Sequence, residues 1–239
     1  MFDFSVIEFA FPLFLEGAIA TLLFCALATA VGLVLGTVVA LGRLSKRRIL
    51  RGLSLAFIEP FRNTPFLVQA FLIYFGLAQF GFRMSAQVAG AVILCLYGTA
   101  LFAEAIRGSI LSVPKGQLEA ARAVGMPYLT AMRRIVMPQT VGYLIPVLTN
   151  LIIGLIKDSA ALSIITVPEL AMAAQRVVGT TFQPIETYVF VAVVYWLMTS
   201  AVALGLSALQ ARHSRRRARS AHAMPIPSTG VPMPQIRQD

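Results

Sequence analysis

The stretch GAIATLLFCALATAVGLVLGTVVALG, residues 17–42, contains no charged residue. A helix needs about 20 apolar residues to cross the roughly 30 Å hydrocarbon core of a bilayer. Helix is also the form that satisfies every backbone amide within lipid. The whole chain shares this bias, since 58% of its 239 residues are hydrophobic and only 13% are charged. The sequence therefore predicts an integral membrane protein built from helices.

Four more stretches are long and apolar enough to span, namely residues 63–82, 84–103, 135–156 and 187–211. A sixth apolar piece, residues 159–168, is too short to cross a bilayer. We expect it to continue the fourth helix after a break or to lie buried inside the bundle. The predicted fold is all-α, with five transmembrane helices.

The placement of Lys and Arg predicts the orientation. They cluster in residues 43–51, 107–134 and 212–219, whereas Arg83 is the one basic residue between the second and third spans. Cytoplasmic loops carry the excess of Lys and Arg, so five spans place all three clusters inside, with the N-terminus outside and the C-terminus inside. The net charge of +10 is thus a topology signal and not a nucleic-acid footprint.

The same reasoning divides the chain into three parts. Residues 1–16 are expected to form an N-terminal segment on the periplasmic side, and residues 17–211 the membrane domain. Residues 212–239 are rich in Arg, then in Pro, Ser and Gly, which predicts a disordered cytoplasmic tail. Its basic part is expected to touch anionic lipid.

The segment GQLEAARAVGMPYLTAMRRIVMPQ, residues 116–139, stands out within the loop between the third and fourth spans. Ser112 and Pro114 suit a helix start, and Gly125 supplies the permissive backbone that ends a helix. A second helical piece is expected to end at Pro138. The pattern predicts a helix, a sharp turn and another helix on the membrane surface.

This segment resembles the EAA loop of ABC importer permeases. Glu119-Ala120-Ala121 is followed by three residues, Gly125, nine residues, Ile135 and then Pro138. The resemblance implies that the loop, about residues 108–138, forms a coupling helix that docks into a groove on an ATP-hydrolysing subunit. It also implies ATPase-coupling roles for Glu119, Ala120, Ala121 and Gly125.

Two further segments resemble the permeases of polar amino acids, the group that imports histidine, glutamate, glutamine, arginine or opines. They are EPFRNTPFLVQAFLIYF, residues 59–75, and KDSAALSIITVPEL, residues 157–170. The resemblance implies a type I importer permease in the bacterial inner membrane, translocating a polar amino acid. Its implied partners are an ATPase dimer, a second permease copy or paralogue, and a periplasmic or lipid-anchored substrate-binding protein.

The sequence points away from catalysis. No GxxxxGK[ST] phosphate loop occurs in the sequence. ATP and Mg are therefore expected to bind a separate ATPase chain, and this chain is expected to bind no cofactor. A membrane enzyme would need a nucleophile–base or metal constellation, and none is readable. A self-sufficient channel or secondary transporter would usually show inverted repeats and would leave the EAA pattern unexplained.

Four polar residues at predicted membrane depth are candidates for the substrate pathway. Asp158 could hold the substrate's ammonium, and Lys157 or Arg62 its carboxylate. Arg62 and Gln69 on the second span are the next candidates for specificity. The alternative is structural, with Arg62 paired to Glu59 on one helix and with Lys157 and Asp158 capping a helix end.

The spacing of Glu104 and Arg107 near the end of the third span permits an i,i+3 ion pair. We expect a structural or gating role for this pair. Gly32 and Gly36 on the first span form a GxxxG pattern, which indicates a close-packing face.

Overall fold

Helices make up nearly all of the chain between residues 5 and 222, the part that the computed structural model describes; side chains are described up to residue 211. In chain order they are α1 (Ser5–Leu44), α2 (Arg48–Asn63), α3 (Phe66–Phe71), a π-helical turn (Leu72–Gly76), α4 (Leu77–Gln79), α5 (Ala86–Leu111), α6 (Lys115–Ala123), α7 (Tyr128–Ala131), a second π-helical turn (Met132–Val136), α8 (Met137–Asp158), a 3₁₀ helix (Ser159–Ile165), α9 (Leu170–Thr181) and α10 (Pro184–His222). The predicted all-α fold is confirmed within these residues.

Four helical stretches in the described chain are long and apolar enough to cross a membrane: Ser5–Leu44, Ala86–Leu111, Tyr128–Ile165 and Pro184–Ala211. They correspond to the first, third, fourth and fifth predicted spans. The predicted second span needs a correction, because residues 63–82 are not one helix.

The break in this second segment lies between α2 and α3. Thr64 is extended, with φ −119° and ψ 150°, because a residue before proline is disfavoured in the helical region. Pro65 follows, and the apolar helix beyond it covers only Phe66–Gln79. A second crossing therefore needs α2 as well, and the count of five spans stays a prediction.

The core of the bundle is the contact between α1 and α5. A Cβ at Gly32 would lie 2.7 Å from Cδ2 of Phe102, and one at Gly36 would lie 3.0 Å from the backbone nitrogen of Ala103. Only glycine permits this approach at Gly32, so the GxxxG pattern does mark a close-packing face.

At one end of the bundle, here called the loop end, α1 and α5 finish beside α6 and the start of α8. A mostly apolar cavity of about 420 Å³ lies among them.

The helix α6 starts after Pro114, and the Ser112 hydroxyl donates to the Gly108 carbonyl at 2.9 Å. The prediction that Ser112 caps this helix is therefore wrong. Gly125 has φ 85°, the left-handed conformation expected for a glycine that ends a helix.

The expectation that the second helical piece ends at Pro138 is also wrong. The chain stays helical from Tyr128 through α8, with Pro138 near the start of α8 and the π-helical turn directly before it. A proline lacks the N–H that closes an α-helical turn and its ring crowds the preceding turn. The wider π turn accommodates both effects without ending the helix.

The short apolar piece after the fourth span behaves in both of the ways expected. It continues α8 as the 3₁₀ helix Ser159–Ile165, and Ser159, Leu162 and Ile165 are buried. Thr166 then adopts φ 63° and turns the chain towards α9.

The ends of the described chain are more helical than predicted. α1 begins at Ser5, so residues 5–16 are helical and continuous with the first apolar stretch, and their periplasmic location stays a prediction. α10 runs to His222, so residues 212–222 are helical where a disordered tail was predicted. Residues 1–4 and 223–239 lie outside the described part.

Candidate translocation pathway and coupling loop

Asp158 lies half-buried at the end of α8 and joins three elements. Its carboxylate accepts a hydrogen bond from the Tyr97 hydroxyl of α5 at 3.1 Å. The Tyr97 ring packs against Phe66 of α3, with 4.8 Å between ring centroids. Tyr97 and Phe66 escaped the sequence reasoning because their partners lie far away in the chain. The result is a carboxylate held in place by an aromatic pair.

Lys157 is adjacent to Asp158 but does not form an ion pair with it. It is exposed and forms no ion pair with any residue in the described chain. Neighbouring residues on a helix point in directions about 100° apart. Lys157 and Asp158 therefore leave the helix in different directions, although their opposite charges still interact. The lysine ammonium forms no ion pair within the described chain and is available to a ligand that also contacts Asp158.

Gln69 closes the break between α2 and α3. Its side chain is only 6% exposed, and Nε2 donates to the Phe61 carbonyl at 2.9 Å and to the Thr64 carbonyl at 2.8 Å. These carbonyls lose their helical partners where the helix breaks. Oε1 of Gln69 is buried with no partner among the described residues. The Nε2 group of Gln69 therefore stabilises the break between the helices, whereas Oε1 is an acceptor without a hydrogen-bond partner in the described chain.

Arg62 pairs across helices and not within its own. Its guanidinium lies 3.7 Å from Oε1 of Glu104 on α5, whereas Glu59 accepts from Nδ2 of Asn63 at 2.5 Å. The alternative pair of Arg62 with Glu59 is therefore not formed.

Arg107 donates to both carboxylate oxygens of Glu104, with 2.9 Å from Nε to Oε2. The expected Glu104–Arg107 pair is confirmed.

These contacts define two levels in the bundle. Glu104 follows Tyr97 by seven residues on α5, which is about 10.5 Å along the helix towards the loop end. Arg62 and Glu104 line a cavity of about 570 Å³, together with residues of α8 that include Tyr143, Val147 and Leu151. The structure thus separates Arg62 from Asp158, and the two do not form one compact site.

The predicted coupling residues differ in exposure. Glu119, Ala120 and Gly125 are exposed, but Ala121 is only 4% exposed. Ala121 is buried, so it cannot contact a partner directly in this structure, and its predicted coupling role stays a prediction. The tip of the turn instead carries two apolar side chains, Val124 and Leu129, that are about four-fifths exposed.

Glu169 is a buried acid that the sequence reasoning did not single out. It is 1% exposed and caps α9 by accepting from the Met172 amide at 2.7 Å. The Tyr195 hydroxyl of α10 also donates to it at 2.9 Å, and the Thr21 hydroxyl of α1 at 3.4 Å. An acid just before a helix start is the only local signal for this role. The contacts fix the segment after Asp158 to two long helices.

Comparison with known proteins identifies the chain's relatives. Residues 32–219 match the family described as binding-protein-dependent transport system inner membrane component. The chain belongs to this family. It is therefore an inner-membrane transport subunit and not an enzyme, and the predicted ABC importer permease is confirmed. Such a subunit works with a separate ATPase and a substrate-binding protein.

Curated members of the family match along nearly their whole length. The probable glutamine ABC transporter permease GlnM of Bacillus subtilis is 38% identical, over 87% of this chain and 96% of its own. The glutamine transport system permease GlnP of Escherichia coli is 35% identical, over 88% and 97%. The nopaline transport system permease NocM of Agrobacterium fabrum is 35% identical, over 84% and 87%.

Two solved structures share this fold. A chain from the crystal structure of an amino acid ABC transporter with histidines matches with a TM-score of 0.84 and 36% identity, over 89% of this chain and 99% of its own. A chain of the inward-facing MetNI methionine ABC transporter has a TM-score of 0.71 at 21% identity, over 84% and 96%. The second match shows the fold alone.

Proposed function

We propose that this family member imports a polar amino acid or a close analogue across the inner membrane, powered by an ATPase dimer that binds ATP and Mg. The observation that carries the proposal is the half-buried Asp158 at the end of α8, held by Tyr97. Helices that break near the middle of a bundle form substrate sites in transporters. The amino-acid names of the relatives and of the solved transporter with histidines support the same substrate class.

In this proposal Asp158 receives the substrate's ammonium, and the Tyr97 hydroxyl keeps the carboxylate oriented. Lys157, exposed and unpaired within the described chain, receives the substrate's carboxylate. Gln69 acts indirectly, because its buried carboxamide holds the α2–α3 break together. Arg62 acts at the second level, nearer the loop end, where it faces the 570 Å³ cavity.

Coupling is assigned to the exposed loop. Val124 and Leu129 present an exposed apolar tip, and exposed apolar side chains that are grouped together mark contact surfaces for other proteins. Glu119 and Ala120 form the exposed side of α6, and Ala121 anchors that helix. Movement of the ATPase subunits would pass through this loop to α8, which continues the same helix from Tyr128.

The proposed orientation puts the loop end in the cytoplasm, with the N-terminus outside and the C-terminus inside. α2 and the 66–79 helix together make the second of five crossings. A second permease, a copy or a paralogue, completes the pathway, because five helices enclose a channel poorly. The basic segment from residue 212 lies at the cytoplasmic lipid surface.

Uptake by the reconstituted complex tests the function. The chain, its ATPase and its binding protein in proteoliposomes should accumulate at least one of glutamine, glutamate, arginine, histidine, cystine or an opine, and only with ATP. Accumulation without ATP would instead identify a channel or a secondary transporter.

Gly125→Val tests the coupling assignment. Valine is strained at φ 85°, so the loop should lose its shape and ATP-driven uptake should fall by at least tenfold while membrane insertion persists. Gly52→Val is the matched control, because Gly52 lies in α2, outside the coupling loop, and a Cβ there would meet no atom within 4 Å. Normal uptake by the Gly125→Val complex would refute the docking role.

A further inference from the structure

A row of polar side chains runs along one face of α8. Tyr143, Asn150 and Lys157 recur every seven residues, and each is exposed in the single chain. Seven residues make nearly two turns of an α-helix, so the three side chains share one face. The row extends for about 21 Å along the helix axis, from the 570 Å³ cavity to the Asp158 level.

Lipid is a poor neighbour for this row, because polar and ionisable side chains in membrane helices face the bundle interior, water or another protein. The cavity that Arg62 and Glu104 line includes Tyr143, so the same face borders open space at its loop end. At the other end, Lys157 is exposed next to Asp158. The face therefore fits the wall of an aqueous pathway.

Asn150 is the uncommitted polar group at the middle of the row. Between residues 144 and 156 the polar side chains are Thr149 and Asn150 alone. The Thr149 hydroxyl donates to the Ile145 carbonyl at 2.9 Å, which ties it to its own helix. The Asn150 carboxamide forms no hydrogen bond with the rest of the described chain. It is free to both donate to and accept from a ligand.

The spacing between Asn150 and Asp158 fits an extended amino acid. Eight residues separate them, which is about 12 Å along the helix axis. The two positions are also about 80° apart around the helix. A substrate that contacts both would lie along α8 and partly around it, with its ammonium at Asp158 and a long side chain that extends towards Asn150 and the loop end.

We infer that Asn150 is a specificity-determining residue, which hydrogen-bonds the polar end of the substrate's side chain. This inference rests on the proposed function, since it needs an amino acid whose ammonium is held at Asp158. A neutral carboxamide both donates and accepts, so it accommodates an amide, a guanidinium or a carboxylate. Asn150→Asp would accept only, and would therefore favour side chains that carry positive charge.

The first test asks whether Asn150 faces water. Asn150→Cys is made with Cys95→Ala, leaving the buried Cys25, and the complete complex in proteoliposomes is treated with a membrane-impermeant, negatively charged methanethiosulfonate. Val193→Cys, on the exposed apolar face of α10, is the matched control. Labelling is measured in the resting complex and after trapping with ATP and vanadate.

We expect Asn150→Cys to react at least tenfold faster than Val193→Cys in one of the two states. We also expect L-glutamine or L-arginine, delivered by the binding protein, to slow that reaction. Equal rates for the two variants in both states would overturn the inference.

The second test measures selectivity. The ratio of L-arginine to L-glutamate uptake is compared between wild type and Asn150→Asp with the same binding protein, so that delivery cancels from the comparison. A charge-assisted hydrogen bond is stronger than a neutral one, and we expect the ratio to rise about tenfold. An unchanged ratio would overturn the specificity role.

Failure of the proposed function and failure of the Asn150 role give different experimental results. If the wild-type complex imports no amino acid with ATP, the proposed function itself fails. If the wild type imports but Asn150→Cys resists labelling and Asn150→Asp keeps the wild-type ratio, only the role of Asn150 fails.

Discussion

The exposed face of α8 and the exposed face of α10 carry opposite chemistry, although both helices are long enough to cross a membrane. On α8 the exposed side chains include Tyr143, Asn150 and Lys157. On α10 the large exposed side chains between residues 189 and 211 are apolar: Val189, Val193, Trp196, Leu197, Leu204 and Leu209. The exposed fraction of a side chain in one subunit therefore does not distinguish a lipid-facing surface from a pathway-facing one, whereas the polarity of the exposed side chains does. We assign α10 to the lipid boundary and α8 to the pathway.

The largest difference between the two faces is expected in membrane insertion, when a lysine is placed on each face in turn. Val193 on α10 and Val147 on α8 are similarly exposed, at 46% and 42%, and both lie well inside their spans. A lysine at the centre of a lipid-facing helix costs about 2.5–3.5 kcal/mol, so Val193→Lys should reduce correctly inserted protein by more than tenfold. Val147→Lys should insert normally, because it borders the 570 Å³ cavity.

Membrane fractionation of the two variants measures this difference. Equal loss of inserted protein in both would remove the distinction between the two faces.

A smaller change is expected at the Asp158 level. Tyr97→Phe removes the hydroxyl that donates to Asp158 while keeping the ring contact with Phe66. The net value of such a hydrogen bond is about 1–2 kcal/mol, or roughly a five- to thirtyfold change in apparent affinity for uptake. Transport kinetics of the complete complex would measure the change. Unaltered kinetics would show that the hydroxyl does not orient the carboxylate.

The lipid-facing side should tolerate an apolar exchange with least consequence. Trp196 is 65% exposed on α10, and leucine is equally compatible with lipid. Trp196→Leu should therefore change insertion and uptake by less than about twofold, within the ±0.5 kcal/mol typical of exposed substitutions. A large loss of uptake would place a protein partner, and not lipid, against this face.

Much of this fold follows from hydropathy and a few local signals. Four of the five apolar stretches form long helices, and Gly125 adopts the predicted left-handed turn. The Glu104–Arg107 pair follows from helical spacing alone. These features depend on residues close together in the chain, where periodicity and backbone preference are sufficient.

The features that sequence reasoning missed have two other physical origins, proline effects and long-range packing. Pro65 breaks an apolar stretch that a hydropathy window treats as uniform, and Pro138 does not end its helix because the neighbouring π turn accommodates it. The pair of Tyr97 with Asp158 joins residues 61 positions apart, and that of Glu169 with Thr21 joins residues 148 apart. Such contacts depend on how helices pack, which a single sequence does not display.

The decisive measurement for the proposed substrate site is uptake by a complex carrying Asp158→Asn. Neutralising the acid removes a charge-assisted contact to the substrate's ammonium, which contributes about 1.5–3 kcal/mol. We therefore predict a roughly ten- to hundredfold loss of apparent affinity, with basal ATPase activity and substrate capture by the binding protein unchanged. Glu8→Gln, which neutralises an exposed acid near the start of α1, should leave uptake intact. Wild-type affinity in the Asp158→Asn complex would contradict the proposed substrate site.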